Sequence, residues 1–279
     1  MISPEDYSAH DKVQKYRIAL VIEEFAENLI NIRGKCMDVG CGPGDATKDL
    51  LLPALGSDAR IIGTDISEKM IKYANVASSD EKRVQFEVLD IETKNLPKKY
   101  IAEFEHVFSF HTLHWCYDIR FTLFNRQAFK NIYQVLRPNG TALLYIVASH
   151  DIFEVLRILA RDVRFEQYIP DKIKTISPYH DSKNARKELK ELLQSIGFTV
   201  HHCSLREASY SEKKSEQFLK SITSLLAFHE IMPNNVMEKF KKVLIHEYLK
   251  RKVNYKSIDN KELTLDLYTV LVVHAQKIV

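Results

Sequence analysis

The stretch Cys36-Met37-Asp38-Val39-Gly40-Cys41-Gly42-Pro43-Gly44-Asp45 decides the fold. Its first four residues read as a short strand, its glycines as a turn, and residues 45–55 as a helix. Without Cβ atoms, Gly40, Gly42 and Gly44 let the backbone turn tightly and approach a ligand closely. The helix that follows offers unsatisfied N–H groups and a positive dipole end, which suits a carboxylate.

Working upstream, Ile18, Val21, Ile22, Phe25, Leu29 and Ile32 recur at helical spacing. They predict a helix over 13–32, closed by Gly34. Downstream, strands are expected over 60–64, 84–89, 104–110 and 141–147, with helices over 68–77 and 122–136 between them. Short apolar runs alternating with helices predict an α/β fold, a doubly wound and mostly parallel sheet covered on both faces. The second half reads as helices over 151–168 and 183–195, then strands over 198–205 and 265–277. Residues 211–262 read as charged helix with Phe218, Phe228, Phe240 and Tyr248 interleaved. The insertions 151–180 and 211–262 are too long for plain connections. They are expected to form a helical cap on a single domain spanning 1–279, whose core is 33–150.

Composition narrows the class of partner. A net charge of +3, spread over 40 basic and 37 acidic residues, does not argue for a nucleic-acid surface. The Lys98-Lys99, Lys213-Lys214, Lys241-Lys242 and Lys250-Arg251-Lys252 clusters read as solvated faces. No run approaches the ~18 apolar residues that span a bilayer, and Met1-Ile2-Ser3-Pro4-Glu5-Asp6 is unlike a secretory signal. Cys36, Cys41, Cys116 and Cys203 form no Cys-x-x-Cys pair and read as reduced thiols, with Cys36 and Cys203 in the core. The expectation is a cytoplasmic protein with a small-molecule partner, its oligomeric state left open.

The turn reads D-x-G-x-G-x-G, and Asp45 stands where a dinucleotide fingerprint requires Gly or Ala. A second acid beside the turn favours an ammonium over phosphates, which points to S-adenosylmethionine (SAM). Asp65 ends the second strand and can accept from both ribose hydroxyls. Its competing role is to cap the next helix, for which Ser67 is equally suited. Asp90-Ile91 ends the third strand, with Ile91 able to pack on an adenine ring.

The glycine turn, Asp65, Asp90-Ile91 and Leu136-Arg137-Pro138-Asn139-Gly140-Thr141, in that order, resemble the class I SAM-dependent methyltransferases over residues 33–150. That resemblance implies a seven-stranded sheet with its last strand antiparallel. It implies that Asp38 and Gly40 face the methionine part of SAM and that Asp90 meets the adenine amine. The expected cofactor site is Asp38, Gly40, Cys41, Gly42, Asp65, Ile66, Asp90, Ile91 and Phe110, and its product S-adenosylhomocysteine.

The loop after strand four, Phe110-His111-Thr112-Leu113-His114-Trp115-Cys116, lies beside the transferable methyl in this fold and holds the one tryptophan of the chain. An indole N–H donates and cannot accept, which suits a carboxylate. Gln14 supplies a second neutral donor. Tyr7, Gln14, the Asp38 turn and the His-Trp loop look like the insect juvenile hormone acid methyltransferases over most of the chain. Those enzymes esterify farnesoic acid or juvenile hormone acid, and the Gln and Trp pair is similar to the clamp of plant carboxyl methyltransferases. The expected catalytic residues are therefore Gln14, Trp115, His114 and His111. A carboxylate with a pKa of about 4–5 needs no strong base. The histidines have a competing reading as bases toward a hydroxyl or amine. No carboxylate joins them at ligand spacing, so no metal is expected. Phe110, Ile146, Ile152, Phe153, Leu156, Leu225 and Phe228 are candidates to hold an apolar tail. The alternatives are a methyltransferase for another small acid or amine, such as a trans-aconitate-like acceptor, and an inactive SAM-binding subunit. An RNA or protein methyltransferase would want a basic groove, and Asp45 argues against a NAD enzyme.

Overall fold

The computed structural model describes residues 4–116, 126–169, 177–212, 219 and 231–278. Before the sheet come α1 (Pro4–His10), α2 (Lys12–Glu24) and the short α3 (Ala26–Leu29). The expected single helix over 13–32 is thus divided, and α1 precedes it. The sheet begins with β1 (Lys35–Val39), followed by a π-helical turn Thr47–Leu51 that runs into α4 (Leu52–Ala54). Next come β2 (Arg60–Asp65), α5 (Glu68–Ala77), β3 (Val84–Val88) and β4 (Phe104–Phe110). Ser67 caps α5 by accepting from the Met70 N–H at 3.3 Å.

The second half contributes α6 (Arg126–Val135), β5 (Leu136–His150), α7 (Asp151–Ala160) and α8 (Ala185–Ile196). It ends with β6 (Phe198–Glu212), α9 (Asn234–Leu249), β7 (Val253–Lys256) and β8 (Glu262–Lys277). The eight-stranded sheet has the order β3-β2-β1-β4-β5-β8-β6, with β7 pairing β8. Strands β1 to β5 run parallel, and β8 is antiparallel to both β5 and β6. The expected seven-strand path with an antiparallel last strand is present, and β7 adds an eighth. Residues 253–256 were expected to be helical; they pair with 262–265 instead.

Both faces are covered, and the residues alternate between two cores with the period of the pleat. On β5, Leu143, Tyr145 and Val147 join the core with α2, α7 and α9, while Leu144 and Ile146 join the core with α6 and α8. Strand order β1-β4-β5-β8 sets the direction of the site. A ligand held over β1 and β2 has its neighbours over β4, β5 and β8. Cys36 is fully buried and Cys203 only half-buried, a difference from the expectation that both are core.

Candidate active site

The glycine turn is held against the sheet by its own backbone. Gly40 N–H and Cys41 N–H donate to Thr64 O at 2.6 and 2.9 Å. Gly40 has φ +75°, and a Cβ there would come within 2.1 Å of Thr112 Oγ1. Thr112 Oγ1 in turn donates to Gly40 O at 3.0 Å. The loop after β4 is therefore packed directly onto the turn after β1, and Thr112, which sequence reasoning passed over, is the fastener.

Asp38 is buried below the turn and accepts from Thr47 Oγ1 at 2.6 Å. Burial pushes its carboxyl up to about 6, against the pull of the Thr47 bond. Asp65 accepts from Gly42 N–H at 3.1 Å and from Ser67 N–H at 2.8 Å, one donor to each oxygen. Four lone-pair sites on a carboxylate leave room for two ribose hydroxyls. The competing capping role falls to Ser67, and Asp65 is oriented by the turn. Burial raises its pKa while those two bonds lower it.

Ile66 is 58% exposed beside Asp65, an apolar face free for a ring. Asp90 is exposed and accepts from Glu92 N–H at 2.9 Å. Ile91 is buried in the core with Asn131 bonded to its carbonyl, so its side chain offers a ring little surface. Asp45 does not stand free for an ammonium: its Oδ2 accepts from Lys15 Nζ at 3.1 Å and from Ser8 Oγ, fixing α1 and α2 to the turn. A cavity of about 480 Å³ lies under the turn, bounded by Asp38, Gly40, Cys41, Gly42, Phe110 and His111 on the sheet side. Tyr7, Asp11 and Gln14 close it from the N-terminal helices. Its lining carries two carboxylates and neither lysine nor arginine among the described residues. A cationic nucleoside fits that donor set, and a pyrophosphate does not.

A second cavity of about 600 Å³ adjoins it, lined by residues of β5, β6 and β8 and of the loop after β4. Tyr7, Gln14 and His111 line both, so the two meet at that wall. The second cavity adds His114, Trp115, Val147, Ile152 and Phe153, and toward β8 and β6 it reaches His150, Tyr210, Asp266 and Tyr268. Gln14, Trp115, His111 and His114 are thereby brought together as expected. Of the apolar-tail candidates, Ile152 and Phe153 line this cavity, while Phe110 belongs to the first. Ile146 and Leu156 are core residues with no exposure, and Leu225 and Phe228 lie outside the described residues.

The histidines are held uncharged. His111, at φ +56°, has its pKa pushed down to about 3 by burial and by the Arg17 guanidinium. A left-handed histidine costs roughly 1–3 kcal/mol and marks a conformation imposed by its surroundings. His114 is pushed well below its ordinary value by burial and by the neighbouring His111 and His150. His111 Nε2 and His114 Nδ1 are buried without a hydrogen-bond partner among the described residues. Trp115 stacks edge-on to Phe153, ring centres 6.2 Å apart. At the far end, Asp266 gathers His150 Nε2 at 3.0 Å, Lys252 Nζ and the Tyr248 hydroxyl. Burial would raise the Asp266 carboxyl, but His150 and Lys252 hold it well below the usual carboxylate range.

Comparison with known proteins agrees with this geometry. Residues 37–144 match a methyltransferase-domain family profile. The chain is 29% identical to juvenile hormone acid O-methyltransferase of Drosophila melanogaster, over 97% of this chain and 91% of that protein. It is 31% identical to the enzyme of the same name from Bombyx mori, over 84% of this chain and 81% of that one. The fold is shared with phosphoethanolamine N-methyltransferase 2 of Haemonchus contortus, solved with SAM. That likeness has a TM-score of 0.52 at 16% identity, covering 95% of this chain and 53% of the other.

Proposed function

Because the chain belongs to the SAM-dependent methyltransferase family, we propose that it methylates the carboxylate of a long apolar acid, an isoprenoid such as farnesoic or juvenile hormone acid. One observation carries this reading: at Gln14 and His111 the cofactor cavity adjoins a second cavity lined by apolar side chains and uncharged imidazoles. The relatives whose names specify juvenile hormone acid support the choice of acid.

When bound, SAM supplies a methyl group on a positively charged sulphur. Asp38 and the Gly40–Gly42 backbone would hold its methionine part, and Asp65 its ribose. Ile66 and Asp90 border the adenine side. The Gln14 carboxamide and the Trp115 indole are neutral donors that fix the acceptor carboxylate without neutralising it. Neutral His111 and His114 add no cation that would blunt the nucleophile. Phe153, Ile152 and Val147 exclude water around the acceptor. Holding the two reactants in line is worth roughly 7–11 kcal/mol of the barrier. Helix α7, the turn that follows it and α9 belong to the cap of this cavity in our reading; Phe165 of that turn meets Phe240 of α9 edge-on at 5.3 Å. No described helix is long and apolar enough to cross a membrane; we place the protein in the cytosol.

The unpartnered ring nitrogens of His111 and His114 favour a second reading, a base for a hydroxyl or amine acceptor. Methyl transfer from labelled SAM to a panel of isoprenoid, fatty and polycarboxylic acids and of amines separates the two. The proposal expects ester formation on isoprenoid acids. Label on an amine or a polycarboxylate, and on no isoprenoid acid, would refute it.

A further inference from the structure

The cofactor cavity has two acidic walls, and only one belongs to the glycine turn. Asp38 rises from β1. Facing it from the N-terminal side is Asp11, 5% exposed, at the junction of α1 and α2. An aspartate at that place ordinarily caps the helix by accepting from its first free N–H groups. Asp11 makes no capping bond to α2. Its side chain lines the cavity instead, beside Tyr7 and Gln14.

Its pairing is incomplete. Lys15 Nζ stands 3.1 Å from Asp11 Oδ1, yet that oxygen is buried with no hydrogen bond among the described residues. Lys15 divides its charge with Asp45, also at 3.1 Å. A carboxylate buried without full pairing is unfavourable unless a cation meets it. Burial pushes Asp11 up to about 6 even though Lys15 opposes it. Asp45, the acid that the sequence offered for this task, is taken by Ser8 and Lys15.

We propose that Asp11 binds the α-amino group of the cofactor's methionine part, acting across the cavity from Asp38. The inference rests on this cavity being the SAM site. It assigns the N-terminal helices a direct share in cofactor recognition. It also explains why an N-cap aspartate makes no capping bond to its own helix.

Calorimetric binding of S-adenosylhomocysteine and of its deaminated analogue, which keeps the carboxylate and loses the amine, tests it without turnover. Wild type should prefer the amine-bearing ligand, and Asp11→Asn should shrink that preference by about tenfold, the scale of one charge-assisted bond. The deaminated analogue should bind Asp11→Asn within about twofold of wild type, which also shows the variant to be folded. Ser8→Ala, which loosens α1 from Asp45 and leaves the Asp11–Lys15 pair in place, should weaken both ligands by one factor and leave the preference intact. An unchanged preference in Asp11→Asn, an equal loss of both ligands, or a preference lost equally in Ser8→Ala would overturn the assignment. Failure of wild type to bind S-adenosylhomocysteine would overturn the reading of the cavity, and the inference with it.

Discussion

Asp65 carries the plainest single-residue consequence. Its carboxylate is fixed by Gly42 N–H and Ser67 N–H, so removal takes away a ligand group and loosens the turn. Asp65→Ala is expected to weaken S-adenosylhomocysteine binding by about ten- to a hundredfold, the range for bonds to a charged group. Unchanged affinity would refute the ribose assignment. Trp115→Phe keeps an aromatic ring facing Phe153 and deletes the N–H together with the rest of the five-membered ring. It should lower kcat/KM for the acid by about tenfold, with cofactor affinity within about twofold. The pH dependence follows from Asp38, whose raised pKa means that its charge is present above about 6 and is lost as pH falls through that value. Asp11 and Tyr7 line the same cavity, and the charge of Asp65 reaches Asp38 and Tyr7. The KM for SAM should therefore rise below about pH 6, while kcat stays flat between about pH 6.5 and 8.5 because His111 does not titrate there. A kcat profile bending near the ordinary histidine pKa would show a histidine base at work. Legibility at this scale followed local pattern. Asp38, Gly40, Gly42 and Asp65 were readable because a strand end and a turn fix them within a few residues. Neither Asp11 nor Thr112 stood out in the sequence, since Asp11 faces Asp38 across the cavity and Thr112 bonds Gly40, both far away in the chain.

At the scale of elements, the N-terminal helices are attached to the glycine turn by Ser8 and Lys15 through Asp45. Sequence could show an acid beside the turn but not that a helix would take it. Asp45→Asn is expected to speed amide hydrogen exchange in α1 and the first turn of α2, measured by mass spectrometry, with β1 and β4 unaffected. Equal exchange in both proteins would mean that α1 is held by packing alone. Several strands were found but cut short, β5 most of all. Its apolar centre, 141–147, was visible, whereas Leu136 at one end pairs with Phe104 of β4, and Ser149 and His150 at the other pair with β8. Strand β7 escaped notice for a related reason: its residues are all exposed, and an edge strand on a hairpin needs no buried face.

Over the whole molecule, the parallel core was legible because buried parallel strands are continuous apolar runs, and the acceptor end was not. Asp151, His150, Tyr248, Lys252 and Asp266 come from separate elements and form one buried network: Lys252 Nζ bridges Asp266 and, at 2.9 Å, Asp151. The Ile152 N–H donates to His150 Nδ1 at 3.0 Å, which places the ring proton on Nε2, toward Asp266. Breaking a buried pair strands its partner's charge, so Lys252→Met should cost about 3–5 kcal/mol in urea unfolding. A loss below about 1 kcal/mol would mean that water reaches the network. In the proposed reading the acceptor carboxylate meets Gln14 at the wall shared by the two cavities, where His111 is held uncharged. The most direct measurement is therefore initial-rate methylation of farnesoic acid and of farnesol, its alcohol counterpart, under identical conditions. Rapid formation of the methyl ester with no detectable ether is the expected result. Comparable methylation of the alcohol would show that the site deprotonates its acceptor, and would contradict the account.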